Sequence, residues 1–260
     1  MKKPSYYTVP HYEECFSLEK KHNYCVAIFV INEGEKLHQQ LARMQMIEID
    51  ADIIISDGGS TDGSIDIERL KLKGVNALLT KKEAGKLGSQ MRIAFSWAVE
   101  RGYKGIVVID GNNKDSVESI NDFVQKLEEG FDHIQGSRFI PGGKAINTPL
   151  SRLIGLKVLH VPMIRLASGF PYTDTTNGFR AYSSKLLLSE KMAVFRDVFT
   201  SYEFHYYLAI NAAKQRFKCK EIPVKRVYPK GKVPTKISPI KGNFFVMVKL
   251  FKSCIGMYNA

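Results

Sequence analysis

Three apolar runs in this chain end on side chains that can bind, orient or take a proton. Tyr24 to Ile31 closes on Asn32-Glu33-Gly34, Ala51 to Ile55 closes on the loop from Ser56 through Asp57 and Asp62 to Gly63, and Gly105 to Ile109 closes on Asp110-Gly111-Asn112. Lys86 follows Gly85 at the start of a helical pattern, where backbone N–H groups and the helix dipole favour an anion. Arg138 closes a strand-like run and Arg180 a loop, and guanidinium forks suit phosphate oxygens. Two more carboxylates, Asp174 in the Thr173–Arg180 loop and Glu203 at a helix start, are candidates for proton abstraction. Each has a plainer reading beside it. Asp57 and Asp62 also read as turn-formers, Lys86 as a solvated lysine, and Glu203 as a charge placed at a helix N-terminus.

The elements that must position these groups alternate. Each apolar run reads as a strand buried on both faces of a parallel sheet. Helical spacing follows the first run at Leu37, Leu41, Met44 and Ile47, and returns at Ile65 to Lys73 and from Gly88 through Met91, Ala94, Phe95 and Ala98. Strand–helix alternation predicts a parallel sheet with helices on both faces, and ligands collect at the carboxyl ends of such strands. The second half predicts a strand over His133 to Gly136, helix over about Leu150 to Ala167, helix from Ser184, helix over Glu203 to Lys214 and a strand over Lys218 to Val227.

Taken in order, Asn32-Glu33, Asp57 to Asp62, Gly85-Lys86, Asp110-Gly111-Asn112, Gly136-Ser137-Arg138 and Asp174 to Arg180 resemble the motifs of family 2 glycosyltransferases. Within that family they resemble the dolichol- or polyprenol-phosphate sugar synthases, whose pattern runs "YNE", "DDGSTDGS", "GKG", "DAD", "GSR", "SGFR". The resemblance spans roughly Val26 to Lys236 and rests on six motifs in order, each weak alone. It implies a GT-A fold, Rossmann-like, with a C-terminal helical elaboration. The expected division is an extension over 1–22, a transferase domain over 23–237 and an amphipathic helix over 238–260.

The resemblance also implies roles. Glu33 and Asp57 would hold base and ribose, with Asn32 beside them, and Lys86, Lys114, Arg138 and Lys236 would meet the donor. Asp110 and Asn112 would hold Mg²⁺ or Mn²⁺ against the donor diphosphate. Here the chain departs from the pattern: Asn112 replaces a carboxylate, and Lys114 stands where the subgroup often has a neutral Gln. Either a weaker metal site persists, helped by Asp115, or Lys114 screens the diphosphate itself. Asp174, Arg180 and Glu203 complete the catalytic set, Asp174 acting as base for a hydroxyl acceptor or as an orienting group for a phosphate. The expected reaction moves a sugar, with inversion, from a UDP- or GDP-linked donor to a polyprenyl phosphate; the alternative acceptor is a hydroxyl of a cell-surface glycan.

Composition narrows the partners. A net charge of +12, from 38 Lys and Arg against 26 Asp and Glu, favours an anionic partner. A reading of another class, a non-catalytic nucleotide- or nucleic-acid-binding protein on a degenerate transferase fold, draws on that charge and on Asn112. The basic residues are spread along the chain without a nucleic-acid motif, so no nucleic acid is expected. Four cysteines without metal spacing, no apolar leader and no stretch of roughly 18 apolar residues predict a cytoplasmic protein or one at a membrane's cytoplasmic face. In the tail, Phe244, Phe245, Val248, Leu250 and Phe251 alternate with Lys241, Lys249 and Lys252. Such a helix suits an anionic membrane surface or a place against the core.

Overall fold

The computed structural model describes residues 4–229 and 241–259. Four parallel strands form its centre: β2 (Tyr24–Val30), β3 (Asp52–Asp57), β4 (Val75–Lys81) and β5 (Gly105–Asp110). All of β2 is buried, and its residues alternate between two cores. Cys25, Ala27 and Phe29 join one core; Tyr24, Val26, Ile28 and Val30 join the other. This alternation is why the run is apolar throughout: a strand covered on both faces has no solvent side. Truncating Ile28 to Ala would cost about 2–5 kcal/mol.

Helices α1 (Glu35–Gln45), α2 (Ile67–Leu72) and α4 (Ile120–Glu128) cover one face, with Leu37, Leu41 and Met44 of α1 at i, i+4 and i+7 pointing inward. Helices α3 (Leu87–Glu100), α7 (Ser184–Leu187) and α8 (Glu203–Lys214) cover the other.

Among the described residues the large sheet runs β1-β4-β3-β2-β5-β8-β6-β9, with β1 over Tyr12–Ser17, β6 over His133–Ser137, β8 over Arg180–Ser183 and β9 over Cys219–Pro223. Chain order reverses between β2 and β5, so the crevice beyond their carboxyl ends is a topological switch point, the place where such sheets take ligands. Asn32 and Asp110 stand at that point, and Asp57 is level with Val30 one strand away.

The sheet is mostly parallel, as the resemblance to a Rossmann-like GT-A fold implies, and two strands break the parallel order. β8 pairs antiparallel with β5 and β6; its four residues are too few to show a period. β1 pairs antiparallel with β4, Tyr12 opposite Lys81, so the expected N-terminal extension supplies an edge strand. Its mixed sequence, Tyr-Glu-Glu-Cys-Phe-Ser, hides that role.

The predicted strand Lys218 to Val227 divides at Pro223 and Val224. β9 stays in the large sheet, and β10 (Lys225–Val227) leaves to pair with β7 (Lys144–Ile146). The predicted helix over 150 to 167 is α5 (Leu150–Gly155), one π turn (Leu156–His160) and α6 (Val161–Ser168). Val161 N–H reaches back five residues to Leu156 O, and Pro162 has no N–H to give to Val158, so the turn widens there. Helix α9 (Lys241–Cys254) docks on α6 and α8 through Val246, Met247, Leu250 and Cys254.

Candidate active site

The loops beyond β2 and β3 are laced together by their own carboxylates and by Asn32. Asp57 accepts from the N–H groups of Gly59 at 3.0 Å and Ser60 at 3.1 Å and from Ser60 Oγ at 2.6 Å. Asn32 sits in the left-handed region at φ 49° and accepts from Thr61 N–H at 2.8 Å, while Asp62 accepts from Gly34 N–H at 2.9 Å. The turn-forming reading of Asp57 and Asp62 is therefore met in full. These bonds also fix the Asn32–Gly34 loop against the 57–64 loop and so shape the crevice wall. Glu33 lies close enough to Lys114 to act on its charge.

Beyond β5, Asp110 is half-buried with both its contacts on one oxygen. Arg226 Nη2 donates to Oδ2 at 3.1 Å, and Asn112 Nδ2 donates to the same oxygen at 3.3 Å. Oδ1 faces Gly178, where a Cβ would come within 3.2 Å of it. Gly111 is equally constrained, since a Cβ there would lie 2.9 Å from Val30 Cγ2. Asn112 Oδ1 is buried without a hydrogen-bond partner.

Two oxygens, Asp110 Oδ1 and Asn112 Oδ1, are thus left for a hard cation. Among the described residues no group of three or more His, Cys, Asp or Glu side chains is placed to hold a metal. Mg²⁺ or Mn²⁺ wants six oxygen ligands. The residues fit a cation held jointly with a diphosphate and water, and do not fit one held by protein alone.

Arg226 was not singled out in the sequence. Its guanidinium bridges Asp110 and the fully buried Asp115, to which Nη1 also donates. Burial pushes the Asp115 carboxyl up, opposed by Arg226. Burial and then the nearby Arg226 lower the Lys114 ammonium, opposed by Tyr228, Asp110 and Glu33. A signal did exist: Ile222, Val224, Arg226 and Tyr228 recur at period two, and all four are buried. A charge in the inward phase of a strand needs a partner. Lys36, Asn112, Asn113, Lys114 and Tyr228 line a cavity of about 280 Å³ beside this cluster.

On the other side of Tyr228 lies a cavity of about 520 Å³ between the α5–α6 segment, α8 and α9. Arg138, Arg152 and Arg180 line it, with Tyr202, Tyr206, Tyr228, Leu156, Leu159, Val246 and Met247; among the described residues none of its lining is an acid. The π turn brings His160 to this wall, and burial lowers its pKa to about 4, so it stays neutral at pH 7. Arg152, another residue the sequence reading passed over, lies 5.5 Å from the Tyr228 ring centre. Burial raises the Tyr228 phenol, but Arg226 and Arg138 outweigh it and the net shift is downward.

The expected catalytic carboxylates lie elsewhere. Asp174 has no exposure and is held by Arg138 Nε at 2.6 Å and Nη2 at 2.9 Å, with further bonds from backbone N–H groups of Arg138 and Thr176. Arg180 gives its donors to the carbonyls of Asn177, His205 and Thr175 at 2.9 Å each. Glu203 accepts from Thr200 and Ser201 N–H at 2.7 Å and pairs with Lys249 at 3.3 Å. Lys86 heads α3, its ammonium 5.0 Å from the Phe245 ring centre, and lines neither cavity. Lys236 lies outside the described residues.

The chain is 30% identical over 199 residues to the undecaprenyl-phosphate mannosyltransferase of Micrococcus luteus, a match covering 74% of this chain and 79% of that protein. It belongs to the family 2 glycosyltransferases, close to the polyprenyl-phosphate sugar synthases. To the polyprenol monophosphomannose synthase of Mycolicibacterium smegmatis this glycosyltransferase is 29% identical over 203 residues, covering 76% of this chain and 75% of that one. Its fold is GT-A. The glucosyl-3-phosphoglycerate synthase of Mycobacterium tuberculosis, solved with Mg²⁺ and uridine diphosphate, superposes with a TM-score of 0.60 at 17% identity, covering 89% of this chain and 79% of that one. No family model matches the chain.

Proposed function

We propose that this glycosyltransferase moves a sugar from a UDP- or GDP-linked donor onto a polyprenyl phosphate, with inversion at the anomeric carbon. One observation carries the choice of acceptor: the 520 Å³ cavity is lined by three arginines and by no carboxylate. A hydroxyl acceptor must lose a proton to a base as it attacks, whereas a phosphate arrives ionised. Asp174 is locked onto Arg138 and Glu203 onto its own helix start, so neither is offered to a hydroxyl. The relatives named above act on polyprenyl substrates by their names, which fits an apolar wall of Leu156, Leu159, Val246 and Met247.

In this reading the donor lies in the crevice between β2 and β5, its base and ribose against the walls braced by Asn32, Glu33 and Asp57. Its diphosphate faces Asp110, Asn112 and Lys114. A divalent cation held there by Asp110 Oδ1, Asn112 Oδ1 and the diphosphate would neutralise charge on the leaving group. An acceptor phosphate oxygen, drawn in by Arg138 and Arg152, attacks the anomeric carbon as the bond to the nucleoside diphosphate breaks and carries its electron pair away. A single displacement inverts the centre, and the lack of an acid along the cavity agrees with the absence of a covalent sugar–enzyme step. Asp174 serves to aim Arg138.

The acceptor's chain would enter from a membrane surface. No described helix is long and apolar enough to span a bilayer. Leu150, Ile154, Val158 and Leu166 of the α5–α6 segment and Phe244 and Phe251 of α9, elements that wall the cavity, are exposed, with Leu166 at 91%. Arg152, Lys157 and Arg165 lie in the same segment, a composition that suits an anionic leaflet. In this reading the enzyme works at a membrane surface, on the cytoplasmic face that the sequence led us to expect.

The test of the donor is thermal stabilisation by UDP, GDP and CDP. Ligand at 100 times its Kd adds about 2.7 kcal/mol. A shift with UDP or GDP supports the reading; no shift with any of the three contradicts it.

A further inference from the structure

Arg226 occupies a position where its charge must matter. It is a buried cation 3.1 Å from the single carboxylate at the end of β5 and also bonded to Asp115 behind it. Lys114, next in chain to Asp115, adds a second positive group within the field of Asp110. Asp110 and Asp115, with Glu33 near Lys114, face Arg226 and Lys114, with Lys36 on the same cavity wall: three charges of each sign, and Asn112 brings none. A divalent cation arriving alone would meet no net attraction and one guanidinium already on its carboxylate. A diphosphate arriving first would meet these cations, and would add the negative charge and oxygen ligands that a metal needs.

We infer that Arg226 is a resident counter-cation that makes binding ordered: the nucleoside diphosphate first, the divalent cation only with it. This rests on the nucleotide-sugar reading above. Arg226 acts through Asp110, and is a positioning residue for the site rather than a group in the reaction. Its bonds leave Asp110 Oδ1 turned towards Gly178 and Asn112 Oδ1 unpaired, which are the two oxygens a jointly held cation would use. Asp115 anchors the guanidinium from below, so the pair Asp115–Arg226 works as one unit.

The experiment measures Mn²⁺ binding to the whole chain by electron paramagnetic resonance, with and without the nucleoside diphosphate that stabilises it. The intact protein should bind Mn²⁺ weakly alone and at least about tenfold more tightly with the nucleotide, because opposite and like charges at this spacing interact by a kcal/mol or more even at a high effective dielectric. Arg226→Met removes the guanidinium but strands buried Asp115, so the double variant Arg226→Met/Asp115→Asn is measured beside it. Arg226→Met should bind Mn²⁺ alone at least about tenfold more tightly than the intact protein and bind the nucleotide in EDTA more weakly; the double variant frees Asp110 without changing the net charge and should move the same way by less. Arg226→Lys should restore the intact pattern. If the intact protein binds Mn²⁺ no better with the nucleotide that stabilises it, the ordered-binding inference falls and the nucleotide-sugar reading stands; if no nucleoside diphosphate stabilises it, that reading falls first. If Mn²⁺ does bind better with that nucleotide, but the double variant's Mn²⁺ affinity without nucleotide is unchanged, the role given to Arg226 is wrong.

Discussion

The crevice at the strand ends, proposed for the donor, and the arginine-lined cavity, proposed for the acceptor, are built in opposite ways. The crevice is made of strand ends: β2, β3 and β5 lie parallel and in register, and each ends in a polar cluster. Its carboxylates are bonded into neighbouring loops or, in Asp110, to a guanidinium. The cavity is made of helices and a broken turn, and its charge is one-signed, with Arg138, Arg152 and Arg180 facing apolar side chains. A rigid sheet can hold a nucleotide by many short contacts. A looser helical wall can admit a long apolar chain and grip only its charged head. The two halves meet around Tyr228, which lines both cavities.

The sharpest way to separate the halves is to remove Asp110. Asp110→Ala should lower kcat by roughly 10³-fold, since it removes charge stabilisation at the leaving group, and should leave KM for the lipid phosphate unchanged. Steady-state kinetics with each substrate varied will read this. Equal losses in both parameters would mean that the halves are not separate.

Asp174→Asn comes next, and its effect should fall on stability. Breaking a buried ion pair costs about 3–5 kcal/mol, visible as a lower urea midpoint. The acid limb of the pH–rate profile should stay where it is. A limb that vanishes would make Asp174 a base and revive the hydroxyl acceptor.

Arg152→Ala should raise KM for the acceptor about 10- to 100-fold, the worth of a hydrogen bond to a charged group, without altering the nucleotide-dependent melting shift. A changed nucleotide shift would assign Arg152 to the donor instead.

The smallest effect is on pH. Burial holds His160 at about 4 and burial with Arg180 holds His133 at about 3, both below the ordinary 6.5. Between pH 6.5 and 4 the unfolded chain takes up protons that the native chain refuses, so stability falls as pH falls through that window. His160→Asn should remove roughly 2 kcal/mol of the stability difference between pH 7 and 5. Urea unfolding at the two pH values measures it, and an unchanged difference would mean that His160 is charged in the cavity.

The donor half was largely legible from sequence because its information is contiguous. An apolar run followed directly by Asp57 or Asp110 states both the strand and what stands at its end. Burial on two faces explains why periodicity alone could not show which residues of β2 face which core. The acceptor half was less legible because it is assembled from distant pieces. Arg152 reads as an ordinary helix-surface arginine until folding brings it beside Tyr228, 76 positions away by subtraction of their numbers. The roles expected for Asp174, Arg180 and Glu203 depended on side-chain direction, which residue type does not record. All three turned out to be buried, bonded groups. β1 and β8 were missed because an edge strand and a four-residue strand carry too little pattern.

The central claim is that the acceptor is a phosphate held by arginines without a base. It is tested most directly by offering the enzyme a polyprenyl phosphate and the matching polyprenol, at equal concentration, with one labelled nucleotide sugar. The account predicts label only on the phosphorylated lipid, released by mild acid as sugar. Equal labelling of the alcohol, or labelling of a glycan hydroxyl with neither lipid used, would contradict it.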